Sequence, residues 1–129
     1  MILRINSQSA EPIYKQLHNQ IVIGIANGQL ATGEQLPSVR GMAADLGINK
    51  ITVNKVYSIL EEEGYITVDY RKRAVVAEKL AAPRTFEEQL RKTLILAAAE
   101  ARVARLCEDE FLTLCRQCYR EASPQSVAD

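Results

Sequence analysis

The chain has 129 residues, enough for one ordinary domain with a small appendage and too few for two large ones. Hydrophobic residues make up 47% and aromatics only 5%, with no Trp, so the core must come from Leu, Ile, Val and Ala, which favours packed helices over a large sheet. The 16 basic and 16 acidic residues cancel, which argues against indiscriminate coating of nucleic acid but leaves room for a local basic surface.

Met1-Ile2-Leu3-Arg4 lacks the basic and apolar regions of a signal peptide. The longest apolar run, Leu94 to Ala99, is six residues, against the ~20 needed to cross a bilayer. A soluble, cytoplasmic protein without membrane contact is expected. Three cysteines, all late in the chain, do not suggest a disulfide framework.

In chain order, Ile2 to Ile5 is expected to be a short strand, followed by turn-like residues. Pro12 sits near a helix start, where its missing N–H is harmless. Ile13, Leu17, Ile21 and Ile25 recur at four-residue spacing, with Val22 and Ile23 beside them, and Gly28 closes this core-facing helix. Thr32-Gly33-Glu34 is a turn. Ser38 caps a short helix with Val39, Met42, Ala43 and Leu46 on one face, ended by Gly47.

Asn49 caps the next helix, from Lys50 to Glu63. Its buried set is Val53, Val56, Tyr57 and Leu60, and Gly64 ends it. Tyr65-Ile66-Thr67-Val68 and Ala74-Val75-Val76 are strand-like, joined through Asp69-Tyr70-Arg71-Lys72-Arg73. Helix, short helix, tight turn, helix and hairpin make a winged helix-turn-helix.

Such a third helix enters the ~12 Å major groove and offers its N-terminal side chains to base edges. The face opposite the buried set carries Lys50, Ile51, Asn54, Lys55 and Ser58, with Thr52 near the N-terminus. Asn and Lys bond bases or phosphates, Thr and Ser bond phosphates, and Ile51 suits a thymine methyl. Glu61, Glu62 and Glu63 are expected to stay clear of the duplex. Arg71, Lys72 and Arg73 gather at the hairpin tip beside Tyr70, where cations follow phosphates or enter a minor groove. Residues 1–76 carry 8 basic against 7 acidic groups, so any basic surface is one of arrangement.

Leu36-Pro37-Ser38-x-Arg40, Leu46-Gly47-Ile48-Asn49-x-x-Thr52-Val53 and Leu60-Glu61-x-Glu63-Gly64 fall in order at set spacings. This series resembles the DNA-binding domain of the GntR family of bacterial regulators. Glu11-Pro12-Ile13-Tyr14-x-Gln16-Leu17 and Asn54-Lys55-Val56-Tyr57 are similar to its short YtrA-type branch. The resemblance covers roughly residues 2–78 and implies that Arg40 reaches DNA from the second helix. It implies that Asn49, Lys50 and Thr52 contact bases and phosphates from the start of the third. Asn54 stands where many relatives place an arginine, and Gly41 where a glutamate often completes a capping box. Tyr70 to Arg73 replace the usual Gly-x-Gly wing tip.

Pro83 breaks the chain between a winged-helix domain of residues 1–78 and a helical tail of residues 79–129. Thr85 offers an N-cap to a helix whose seam is Phe86, Leu90, Leu94, Ala97, Ala101 and Ala104. A second helix, Glu108 to Glu121, places Phe111, Leu114, Cys115 and Cys118 on one stripe. Two short helices cannot enclose a ligand pocket and also bury their own apolar faces. Dimerisation through Phe86, Leu90, Leu94, Ala97, Ala101, Phe111 and Leu114 explains them better, as the resemblance also implies.

The expected fold is mainly α, a winged helix-turn-helix with a small β-wing and a two-helix dimerisation tail. The expected function is a homodimeric repressor on palindromic double-stranded operator DNA. A lone histidine and no phosphate-cradling loop leave no catalytic residue, metal or cofactor to assign, and the sequence specifies no small-molecule effector. Two alternatives remain: a winged-helix protein-interaction module, and a thiol- or metal-responsive regulator using Cys107, Cys115 and Cys118. On an apolar stripe, the cysteines are expected to pack as core.

Overall fold

Leu17 and Ile21, at the centre of the first apolar stripe, are completely shielded from solvent. They belong to α1 (Ile13–Ala26), for which Pro12 supplies the fixed backbone turn and its carbonyl accepts the N–H groups of Lys15 and Gln16. The structure, a computed structural model, describes residues 3–69, 71, 73–78 and 85–124. The described residues divide into two compact units, one of residues within 3–78 together with Pro124 and one of residues 85–123.

In the first unit, α2 (Val39–Leu46) begins where Ser38 Oγ accepts the Gly41 N–H at 3.0 Å. Only half of a capping box is present, as the glycine at position 41 requires. Gly47 ends the helix at φ +67°, a left-handed backbone that costs glycine nothing and most residues much. Asn49 then opens α3 (Lys50–Glu62), its Oδ1 accepting the Ile51 N–H at 2.8 Å. Val53, Val56, Tyr57 and Leu60 turn inward, and α3 packs on both α1 and α2 as the centre of the unit.

The wing is an antiparallel pair, β1 (Ile66–Val68) and β2 (Ala74–Val76), with Ile66 opposite Val76 and Val68 opposite Ala74. Ile66, Ala74 and Val76 close the base of the core. Residues 33–36 run along the other edge of β2: Leu36 N–H donates to Ala74 O, Val76 N–H to Glu34 O and Gly33 N–H to Val76 O, at 2.8–2.9 Å. The stretch after the Thr32–Gly33 turn therefore ties the start of α2 to the wing.

The expected strand at Ile2 to Ile5 is not formed over the described part, residues 3–5. Two glutamines of α1 take the place of a partner strand. Gln20 bonds both the N–H and the carbonyl of Arg4, and Gln16 does the same for Asn6. Gln16 also donates to Glu11 O at 2.8 Å, which satisfies a side chain only 9% exposed. Leu3 and Ile5 are thereby held against the core.

Tyr57 joins α3 to the start of α2, its hydroxyl donating to Pro37 O at 2.7 Å. Burial pushes its pKa up to about 12, so the donor persists at any physiological pH. Tyr57→Phe leaves that carbonyl without its partner and should cost about 1–2 kcal/mol in urea unfolding, with the slope unchanged. An unchanged midpoint would contradict this role.

The second unit contains α4 (Phe86–Val103) and α5 (Glu108–Glu121). Thr85 occupies the N-cap position of α4 but makes no side-chain cap, because its backbone is already in the helical region. At α5 the Cys107 N–H donates to Glu110 Oε1 at 2.9 Å. No residue of either helix is buried. The expected cysteine packing is likewise absent within the chain: Cys107 and Cys118 are exposed and Cys115 is half-buried, all three as free thiols. The apolar stripes of both helices are present and lie unburied among the described residues. Among the described residues, no helix is long and apolar enough to cross a membrane.

Candidate nucleic-acid interface

Because α3 turns one face into the core, its other face is committed to solvent. Lys50, Ile51, Asn54, Lys55 and Ser58 are exposed there, Thr52 is half-buried, and Ile51 is 73% exposed. An isolated apolar side chain among polar ones, on a well-capped helix, is suited to touch another apolar group such as a thymine methyl. Arg40 is exposed on the first turn of α2. Asn49 is exposed too, but its oxygen is spent on capping, so its amide donors are what it can offer a ligand.

Lys55 has an intramolecular partner. Its Nζ lies 4.1 Å from the centroid of the Tyr14 ring, a cation–π contact that directs the ammonium towards the start of α1. At the far end of α3, Glu61 and Glu62 are exposed, whereas Glu63 is bound: its Oε1 meets His18 Nε2 at 2.5 Å. His18 also contacts Asn19 Oδ1 at 2.9 Å and packs edge-on to Tyr65. This cluster links α1 to the end of α3 and occupies the only histidine in the chain.

At the wing, Arg71 and Arg73 are exposed, while Tyr70 and Lys72 lie outside the described residues. Asp69 organises the turn and was not among the sequence-derived site residues. Its Oδ1 accepts the N–H groups of Arg71 and Arg73, and its Oδ2 accepts Nε–H of Arg73, at 2.8–2.9 Å. The Arg73 N–H, together with that guanidinium, holds the carboxyl below the usual carboxylate range. A residue of this type just before a hairpin turn was the available signal, since Asp side chains bond their own backbone two residues on. Arg73 therefore reaches solvent as one half of an ion pair.

The second unit carries a different surface. Phe86, Leu90, Leu94 and Leu114 are exposed, and Ala97, Ala101 and Phe111 are half-buried. No three His, Cys, Asp or Glu side chains come together as a metal site among the described residues.

Residues 13–76 match the model of bacterial regulatory proteins of the gntR family. The uncharacterised regulator YhcF of Bacillus subtilis is 31% identical over 88 residues, spanning 68% of this chain and 73% of that relative. The repressor YtrA of the same organism is 38% identical over 65 residues, half of each chain. Among solved structures, YtrA from Sulfolobus acidocaldarius, a GntR-family transcription factor, is 40% identical with a TM-score of 0.65. That match covers 77% of this chain and 99% of the other. The winged helix-turn-helix thus has its counterpart in known regulators, and the chain belongs to the GntR family, in its short YtrA-type branch, as a DNA-binding transcription regulator and not an enzyme.

Proposed function

We propose that the chain is a cytoplasmic repressor that binds a palindromic operator as a homodimer. The observation that carries this reading is the state of α4 and α5: two amphipathic helices without one buried residue. Short helices draw their stability from packing an apolar face, so these need a partner surface. A second copy supplies it with matched stripes. Two-fold pairing then sets two DNA-reading units at a fixed separation and matches an inverted repeat.

In this reading residues 1–78 read DNA and residues 79–129 join the copies. Lys50, Ile51, Asn54 and Ser58 face the major groove. Arg40, Asn49 and Thr52 hold phosphates or base edges beside it, and Lys55 reaches the backbone next to Tyr14. Tyr70, Arg71, Lys72 and Arg73 in the wing follow the adjacent groove. Phe86, Leu90, Leu94, Ala97 and Ala101 of α4, with Phe111 and Leu114 of α5, form the dimer seam. Repression follows from occupancy alone, since a protein that only grips DNA blocks what must pass, and the relative YtrA of Bacillus subtilis is itself a repressor.

Selection of duplexes from a randomised library by the full chain tests this. The expected winners are inverted repeats whose half-sites lie about one helical turn (~34–36 Å) or a multiple apart, bound two chains per duplex. Winners with a single asymmetric site, bound by one chain, would contradict the dimeric reading.

A further inference from the structure

The wing turn from Asp69 to Arg73 contains no glycine, the residue that usually lets a tight hairpin reverse. Asp69 binds the backbone N–H groups of Arg71 and Arg73 through Oδ1, while its own N–H donates to Arg73 O at 3.0 Å. Its remaining oxygen takes the Arg73 guanidinium at 2.8 Å. The same side chain thus holds two amides of the wing and neutralises a cation on the surface expected to meet DNA.

We propose that Asp69 is a positioning residue for DNA binding: it fastens the amides of Arg71 and Arg73 and withholds the Arg73 guanidinium from indiscriminate phosphate contacts. The inference rests on the wing facing the duplex.

Non-specific affinity depends on how many cations displace condensed counterions, and a cation already paired with a carboxylate displaces none. The pair is solvent-exposed, so it contributes little to folding. A phosphate fixed opposite Arg73 by the rest of a cognate interface can compete for it. Phosphates met at random registers cannot, because the Asp69 oxygen is already in place. A carboxylate on a DNA-facing wing then serves selectivity, which suits a chain whose DNA-reading part has nearly balanced charge.

The test uses the full chain and a short duplex of unrelated sequence, with binding followed by anisotropy as salt rises. Asp69→Asn keeps an oxygen for the two backbone N–H groups but ends the ion pair. It should steepen the slope by about 0.9, the value of one added phosphate contact, and raise non-specific affinity. The double variant Asp69→Asn with Arg73→Ala should return to the wild-type slope. Hydrogen exchange reads the turn separately: the amides of Arg71 and Arg73 should stay protected in Asp69→Asn and lose protection in Asp69→Ala.

No change of the slope in Asp69→Asn, a slope that stays steep in the double variant, or protection retained in Asp69→Ala would each overturn the proposal. A wild-type chain that binds no duplex at low salt would instead remove the DNA-facing wing itself, and the proposal with it.

Discussion

A chain ending at residue 78 is expected to fold, remain monomeric and lose about 10²–10⁴-fold in operator affinity, the usual value of linking two binding units. The first unit has its own closed core, from Leu17 and Ile21 of α1 through Leu60 of α3 to Ile66 and Val76 of the wing, so its folding does not need the tail. What it would lose is the second reader. Leu94→Asp reproduces the effect with one side chain: it sets a charge in the seam of α4 while leaving the helix-forming alanines that follow. Sedimentation should show that variant as a monomer at concentrations where wild type is a dimer. Operator affinity within a factor of two or so of wild type, in a monomer, would show that avidity contributes nothing.

The second large effect is expected at the start of α3. Lys50→Ala should cost about 1–3 kcal/mol of operator binding if the lysine reads a base edge, with little change on unrelated duplex. Lys50 is exposed, has no intramolecular partner among the described residues, and stands one residue after the Asn49 cap. Arg40→Ala, in the first turn of α2, should give a loss of similar size. Both residues lie outside the core, so unfolding midpoints should not move, which separates lost contacts from lost structure. Intact operator discrimination in Lys50→Ala would contradict the placement of α3 in the groove.

How much of this was legible beforehand differs by element. The stripes of α1 and α3 were readable because a 3.6-residue period reports directly which side chains are shielded, and Leu17, Ile21, Val53, Val56 and Leu60 are fully buried. Ser38, Gly47 and Asn49 were readable because capping chemistry is local: a hydroxyl and an amide oxygen accept N–H groups two or three residues on, and an absent Cβ permits the left-handed stop at position 47.

Contacts made across the chain left no such trace. Leu3 to Ile5 alternate like a strand, but a strand needs a partner backbone, and here two glutamine side chains of α1 supply the hydrogen bonds instead. His18 and Glu63 are 45 positions apart, so no window along the sequence joins them. Lys55 was legible as an exposed cation, but not as one resting on the ring of Tyr14. The wing shows the same division: its arginines were visible as charge, whereas their partner, Asp69, passed as part of the linking turn. In the tail, the periodic stripes of α4 and α5 formed as expected, but periodicity marks only which side chains share a face, and within one chain Cys115 is half-buried and Cys118 exposed.

The claim beneath all of this is that the exposed face of α3 reads DNA sequence. The most direct measurement is binding of the full chain to its selected operator and to unrelated duplex as salt rises from about 50 to 200 mM. The account predicts that both affinities fall linearly on logarithmic axes, with the operator staying roughly 10³-fold or more tighter throughout. Equal affinity for the two duplexes at every salt concentration, or an affinity indifferent to salt, would contradict it.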